Sequence, residues 1–284
     1  MQKVAIVTDT IACLPPEMVR QYQLQILPIN IYFGDKVYKE WTDITPTEAY
    51  ELFQKDPKLF KTSAPPPTDC LEAYRETSKW AKNILCITVS SKLSMVHQSA
   101  LIASDQAKDE SPGINIEVMD SHTATAAEGF VALAAARAAE EGKNLTEVIK
   151  AAEDMRNKVN NVVLLDTIRH AYRSGRIPKV AAQAGSVLNI RPLLTVSVEI
   201  HFMGVVRSRE SGIERMLKVM RRKVGLNPVH VAVMHAYALD EAEKLKEQIL
   251  SQFNCSEIWL SEFSPVMGYA CGTGTLSLAF YGED

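Results

Sequence analysis

The sequence predicts an α/β fold in two parts: a three-layer α/β/α domain with a mostly parallel sheet at 1–157, and a smaller α+β domain at 158–284. Three observations predict this fold. Short β-branched runs alternate with helical patterns in the first part, which is typical of βαβ units. Hairpin-like strand pairs mix with helices in the second part. The chain has 284 residues, of which 46% are hydrophobic, enough for two ordinary domains.

The first part contains four strand regions and five helical patterns. Each strand region is a short apolar run that ends in polar residues. In order they are "KVAIVTDT", "LQILPINIYFG", "KNILCITVSS" and "INIEVMDS". The predicted helices cover 46–55, where Pro46 and Glu48 mark the start, then 67–81, 94–108, the alanine-rich stretch that stops at Gly142, and "NLTEVIKAAEDMRNKV".

The second part begins with a strand, "NNVVLLD", and a short helix and turn, "TIRHAYRSGRIP". The run "RPLLTVSVEIHFMGVVRS" predicts an antiparallel hairpin that turns around Glu199–Ile200. A helix, a strand and a long amphipathic helix follow, and two strands close the chain: "ESGIERMLKVMRRKV", "VHVAVMHA", "LDEAEKLKEQILSQF", "CSEIWLSEFS" and "TLSLAFYG".

Composition excludes several classes of protein. The net charge of −3 gives no basic field for nucleic acid. The five cysteines are scattered and contain no CxxC pair, which argues against a disulfide scaffold or a structural zinc site and favours a reducing compartment. An acidic residue interrupts the first apolar run, and no run approaches the ~20 residues of a membrane helix. We therefore expect a cytoplasmic protein.

The glycine-rich stretch "MGYACGTGT" near the end of the sequence is no nucleotide-binding loop. A dinucleotide site needs a helix, a strand and an acidic residue after the glycines, and too few residues follow Gly274. A Walker loop needs a lysine that is absent here. His230 and His235 lie five apart on one strand and so face opposite sides. We predict no cofactor and no metal.

One alternative is an enzyme that uses His97, Ser94 and Cys271. Ser94 and His97 lie three apart at a helix start, where their side chains could touch. The sequence offers no oriented acid, no GxSxG elbow and no helix start to activate Cys271. An enzymatic nucleophile is therefore the weaker hypothesis.

Hydroxyl side chains suggest a different site. "KTSAPPPTD" places Thr62 and Ser63 on a stiff loop before three prolines. "VSSKLSMVHQSA" places Ser94 at the start of a helix, where backbone N–H groups favour an anion. Together these segments would form an anion site of neutral donors, suited to a carboxylate. Simple helix capping by serine is the alternative explanation.

Seven segments in order along nearly the whole chain resemble the DegV family of bacterial lipid-binding proteins. They are "VTDTIACLP", "TSAPPPTD", "VSSKLSMVHQSA", "VMDS" with "AAEGF", "LDTIRHAYRSGRI", "NIRPLL" and "MGYACGTGTLSLAFYG". The resemblance implies the two-domain α/β fold and one bound long-chain fatty acid, such as palmitate. It also implies that some members present the fatty acid to an ATP-using kinase subunit for phospholipid synthesis.

Carried onto this chain, the resemblance implies that Thr62 and Ser94 donate to the carboxylate, with Ser63 as a helper. The sequence departs from the family pattern at three places in the same site. Ala270 replaces a histidine of the closing loop, and Met95 and His97 stand where the family has glycine and tyrosine after the serine. His97 could fill the space of the lost histidine.

Basic residues offer a surface for the kinase partner. Arg173 and Arg176 belong to a cluster around a predicted turn, and arginines suit a phosphate-handling partner. Ordinary solvated charge explains the cluster equally well. Two functions therefore stay open: a fatty-acid carrier for a kinase, and a divergent carrier of another amphiphile with no kinase role.

Overall fold

A computed structural model describes residues 4–167, 175–176 and 190–283 of the chain. Its strands, numbered in chain order, fall where the apolar runs predict them, except for Lys36–Lys39 and Phe60–Ser63, which were not predicted. They are β1 Val4–Asp9, β2 Gln25–Leu27, β3 Asn30–Phe33, β4 Lys36–Lys39, β5 Phe60–Ser63, β6 Asn83–Thr88, β7 Asn115–Asp120, β8 Asn160–Leu164, β9 Arg191–Ser197, β10 Glu199–Val206, β11 Val229–His235, β12 Cys255–Glu262 and β13 Leu276–Gly282.

Most helices of the described residues also follow the sequence patterns, but the first (Pro16–Gln21) and the last (Pro265–Cys271) were not predicted. They are α1 Pro16–Gln21, α2 Pro46–Lys55, α3 Pro67–Ser78, α4 Val96–Glu110, α5 Ala126–Glu140, α6 Leu145–Lys158, α7 Arg209–Val224, α8 Leu239–Gln252 and α9 Pro265–Cys271. Proline at the first helical position opens α1, α2, α3 and α9, where its missing N–H costs nothing. The predicted segment 168–174 and most of the turn after it lie outside the described residues.

Three sheets organise these elements. The first is wholly parallel with order β2-β1-β6-β7, the second is an antiparallel sheet with order β4-β3-β5, and the third is mixed with order β10-β9-β8-β13-β11-β12. Helices α3 and α4 pack on one face of the parallel sheet, and α5 covers the other. The α/β/α layering with a mostly parallel sheet is thus confirmed, as is the hairpin β9–β10. Its turn is at Val198, which adopts φ 64°, and Glu199–Ile200 already belong to β10.

Helix α5 is buried against two sheets at once. Its residues face β1 and β6 of the parallel sheet, and the Phe130 ring packs against Trp259 and Tyr281 of the mixed sheet with ring centroids 4.4 and 5.0 Å apart. A helix that is apolar on all sides must be covered on all sides. The alanine-rich composition of α5 is therefore the sequence signature of a helix between two sheets.

Within the described ranges, no helix has the length and apolarity that a membrane crossing requires. All five cysteines belong to those ranges and carry free thiols.

Candidate functional site

Thr62 and Ser63 end strand β5 rather than lying on a loop. Thr62 pairs with Ile31 of β3 in an antiparallel register, and β5 is the outer strand of its sheet. The Ser63 hydroxyl is already engaged, since it lies 3.1 Å from the carbonyl oxygen of Ala64 and 3.3 Å from the Tyr32 hydroxyl. The Thr62 hydroxyl has no hydrogen bond to any residue that the structure describes. Of the two hydroxyls, only that of Thr62 is therefore without a partner among the described residues.

Ser94 lies just before helix α4, whose first residue is Val96. The helix has Met95 at its N-cap position and no side-chain cap, so Ser94 is not the N-cap residue that the alternative explanation requires. The Ser94 hydroxyl oxygen instead accepts from the Val96 N–H at 3.4 Å. Its own proton reaches no acceptor in the described part of the chain. An uncapped first turn leaves backbone donors beside this hydroxyl.

Thr62 and Ser94 border one apolar cluster, called here the inner cluster. Ala64, two residues after Thr62, and Leu93, the residue before Ser94, both pack against it. Its buried members come from loops and strand ends of the first half and from β9: Ile11, Ile29, Val89, Val96, Ala124 and Val196. The two predicted donor segments thus meet at the same place in the fold, although 31 residues separate them.

A second apolar cluster, called the outer cluster, continues from the inner one. It consists of Val163, Leu165, Leu194, Ala270 and Cys271, with Ile200 and Phe202 of β10 half-buried against it. Ile200 packs on both clusters. The two clusters therefore form a continuous apolar face, in which the outer cluster belongs to the mixed sheet and α9 and the inner one lies beside the segments of Thr62 and Ser94.

The stretch "MGYACGTGT" is a helix followed by a turn, and not a single loop as its glycines suggest. Residues up to Cys271 belong to α9, and Gly272 and Gly274 follow with φ 86° and 83°. Such angles favour glycine. Gly268 serves a different purpose, because a Cβ atom there would lie 2.2 Å from the Tyr50 ring. Ala270 is buried in the outer cluster.

The residues of the enzyme hypothesis have other roles in the structure. His97 Nδ1 lies 3.0 Å from the Thr88 hydroxyl at the end of β6. Cys271 is buried among apolar side chains, and this burial raises the pKa of its thiol to about 12. A thiol that stays protonated is a poor nucleophile. No group of three histidine, cysteine or acidic side chains in the described ranges could hold a metal ion.

Comparison with known proteins decides the family. The family model described as "Uncharacterised protein, DegV family" matches residues 3–283. The chain belongs to the DegV family. It is 30% identical to Protein DegV of Bacillus subtilis over 98% of both chains, and 31% identical to a DegV domain-containing protein of Streptomyces coelicolor over 97% of both.

Solved DegV structures confirm the fold. DegV of Bacillus subtilis, described as a fatty acid binding protein, superposes with a TM-score of 0.89 at 28% identity and covers 100% of both chains. A DegV family protein from Thermus thermophilus, described by its fatty acid binding, gives a TM-score of 0.88 at 27% identity over 99% of this chain and 100% of that one. The segments that suggested the DegV family from sequence alone therefore identified it correctly.

Within this DegV fold, Arg176 lies beside the donor segment. Its Nε donates to the Leu93 carbonyl oxygen at 2.6 Å, one residue before Ser94. Arg173, the other arginine predicted to bind a partner, lies outside the described residues. Met95 is 63% exposed at the helix start.

Sequence reasoning missed a set of fully buried carboxyl groups, named here the acid cluster: Asp9, Glu40 and Glu128. Asp9 accepts the N–H groups of Ile11 and Val89, both at 2.9 Å. Burial raises the pKa of Asp9 to about 6 and of Glu40 to about 7, and it raises the pKa of Glu128 well above its ordinary value. The only signal for Glu128 was an acidic residue inside an apolar helix. Glu40 lies in the polar stretch "YKEWTD", a pattern that predicts an exposed side chain.

The acid cluster also joins the sheets. Glu40 Oε2 accepts from the Thr10 hydroxyl at 2.6 Å and from the Ser264 hydroxyl at 2.8 Å, just before α9. Its other oxygen, Oε1, is buried with no partner in the described ranges. Asp9, by contrast, accepts backbone N–H groups from the turns that follow β1 and β6. Asp9 is thus the N-cap of the short turn Thr10–Ala12.

Proposed function

We propose that this protein is a non-catalytic carrier of one long-chain fatty acid. The carboxylate lies on the hydroxyls of Thr62 and Ser94, and the acyl chain runs along the inner and outer clusters. The continuous apolar face that starts beside two unengaged hydroxyls is the observation that carries this proposal. The fatty acid binding described for two relatives of 27% and 28% identity supports it.

The proposed division of labour follows the predicted domains. Residues 1–157 supply the donors, and residues 158–284 supply most of the apolar face, with Ala270 beside the chain and not at the headgroup. Met95 and His97 flank the carboxylate, where Met95 shields it and His97 supports the end of β6. The five free thiols support a cytoplasmic location.

Energetics favour the tail over the headgroup. Each buried CH₂ contributes ~0.8 kcal/mol, so the methylenes of palmitate outweigh any single hydroxyl. A hydrogen bond to a charged group contributes ~1.5–3 kcal/mol. Loss of one hydroxyl should therefore weaken binding without abolishing it.

We expect Thr62→Val and Ser94→Ala each to weaken palmitate binding about tenfold or more, and the double variant to weaken it further. Binding can be measured by fluorescence displacement with the delipidated protein, and native content by mass spectrometry of extracted lipid. Ser63→Ala should have the smaller effect, because its hydroxyl is engaged by Ala64 and Tyr32.

Matched controls are Thr68→Val, on the exposed side of α3, and Ser111→Ala, at the other end of α4. Neither should change affinity. The proposal is contradicted if the purified protein carries no lipid and does not bind added palmitate or oleate.

The finer proposal is that the loaded protein serves an ATP-dependent fatty-acid kinase subunit in phospholipid synthesis. With such a subunit and ATP, the palmitate complex should yield acyl-phosphate. Arg173→Glu should abolish this reaction and leave lipid content unchanged. A substitution of Arg176 would be harder to interpret than one of Arg173, because the Arg176 guanidinium also holds the Leu93 carbonyl beside Ser94.

The second candidate is a carrier with no kinase role, which Ala270 favours because the family pattern has a histidine there. Bound lipid without any acyl-phosphate, from the wild-type protein and a kinase subunit active with another DegV protein, would select this candidate. An unaffected reaction of Arg173→Glu would remove that arginine from the docking surface.

A further inference from the structure

A cavity of about 510 Å³ lies away from the proposed lipid site. It opens at the ends of β11 and β12, two neighbouring parallel strands connected by α8. Its walls include His235, Tyr237 and Glu262 from the mixed sheet and its loops, and Thr47 from α2. Ligands of α/β proteins commonly bind beyond the carboxyl ends of parallel strands and in clefts between units of structure.

His235 presents a hydrogen-bond donor to this cavity. The residue is only 5% exposed, and its Nδ1 accepts from the Ala238 N–H at 3.2 Å. Burial lowers the pKa of His235 to about 4, so the ring is neutral at physiological pH. A neutral ring whose Nδ1 accepts must carry its proton on Nε2. That N–H has no acceptor among the described residues, and it is unsuited to bind a metal ion.

The first turn of α8 adds backbone donors on the same side. This helix of 14 residues has Ala238 at its N-cap position and no side-chain cap. The Ala242 N–H bonds to the Ala238 carbonyl, which leaves the N–H groups of the three residues before Ala242 without a helical partner. Residues of this turn line the cavity. His235 and the turn together favour a negative group.

Glu262 gives the cavity a negative wall. It accepts from the Thr47 hydroxyl at 3.0 Å and from the Tyr237 N–H. It forms no ion pair with a lysine or arginine in the described part of the chain, and neither does the neighbouring Asp240. Glu241 differs, because it lies 3.5 Å from Arg209. Glu262 and Asp240 would therefore attract a cation and repel a simple anion.

We propose that this cavity binds a small zwitterion of the α-amino acid class. Its carboxylate would accept from His235 Nε2 and the first turn of α8, and its ammonium group would donate to Glu262. An anion alone would face Glu262 and Asp240, whereas a cation alone would leave the donors of His235 and α8 unused. One molecule that carries both charges satisfies both walls. The exposed ring of Tyr237 and the side chain of Leu239 offer apolar contact to its side chain.

The test is calorimetric titration of the full-length protein with each L-amino acid. Acetate and methylamine serve as half-ligands, since the first carries only the negative charge and the second only the positive one. We expect at least one amino acid to bind, and both half-ligands to bind at least about tenfold more weakly. Glu262→Gln should weaken that amino acid about tenfold or more, because it removes the charge opposite the ammonium group. His235→Asn should do the same, since asparagine can still accept from Ala238 but its shorter side chain holds no N–H at the position of His235 Nε2.

Glu243→Gln is the matched control, an exposed residue of the same helix that does not line the cavity. It should bind the amino acid like the wild-type protein, and none of the three variants should change palmitate affinity. The proposal is overturned if no amino acid binds, if acetate or methylamine binds as tightly as the amino acid, or if Glu262→Gln binds it unchanged.

Discussion

The free energy of unfolding of Glu40→Gln should exceed that of the wild-type protein at pH 8, and the two should converge near pH 5. Burial raises the pKa of Glu40 from 4.5 to about 7. The folded protein therefore holds a proton that the unfolded chain releases between these values. The stability that comes from this group is complete below about pH 4.5 and is lost as the pH rises through 7.

The expected difference between the two proteins grows by up to about 3 kcal/mol from pH 5 to pH 8, since each pKa unit corresponds to 1.36 kcal/mol. Glutamine keeps an oxygen for the hydroxyls of Thr10 and Ser264 but cannot ionise. Urea denaturation at four pH values measures the difference.

Comparison with the wild-type protein matters because other groups titrate in the same range. Asp9 and Glu128 lie near Glu40 and also have raised pKa values, while the lowered pKa of His235 acts in the opposite direction, with stability lost as the pH falls through 6.5. Glu51→Gln, on the exposed side of α2, is the matched control and should show no such trend. A Glu40→Gln difference that stays constant with pH would show that Glu40 does not ionise in this range.

Gly268→Ala should lower the free energy of unfolding by about 2 kcal/mol or more. A Cβ atom at this position would lie 2.2 Å from Cε1 of the Tyr50 ring and 2.4 Å from its hydroxyl oxygen. Tyr50 is fully buried, and its hydroxyl donates to the Phe263 carbonyl at 3.2 Å, so it cannot move away freely. Overpacking of this kind costs about 1–3 kcal/mol, occasionally more.

Gly113→Ala is the matched control, because a Cβ there has no heavy atom within 4 Å. Urea denaturation should show a loss for Gly268→Ala only, and Tyr50→Leu in the same chain should reduce the extra cost by vacating the space. Equal stability of Gly268→Ala and the wild-type protein would mean that α9 can shift away from α2.

Local patterns in the sequence predicted most of the elements, because strands and helices of this fold carry clear periodicity and proline starts. Contacts between distant segments were not predictable in this way. The burial of Glu40 depends on Thr10 and Ser264, which lie 30 and 224 residues away. The glycines of "MGYACGTGT" suggested a single loop for a similar reason. Gly268 is a glycine because the Tyr50 ring of another helix leaves no room for a side chain there, and not because the chain turns.

The candidate site shows the same division. The residue types and motifs pointed to Thr62 and Ser94, and the structure brings their segments to one cluster. The strand that contains Thr62 depends on its pairing with Ile31, 31 residues away in sequence, and His97 bonds to Thr88, which belongs to a different element. The cavity at His235 carried no motif, because its parts are two strand ends and a helix of another layer.

Helix α5 has a consequence for how an acyl chain could enter. The parallel sheet and the mixed sheet both pack against its side chains, above all Phe130. The two sheets therefore cannot separate without exposing an alanine-rich surface to water. Under the proposed function, an acyl chain would therefore enter at the edge of the mixed sheet, where β10 is an outer strand and Ile200 and Phe202 are only half-buried. The packing around α5 would stay intact while the acyl chain passes.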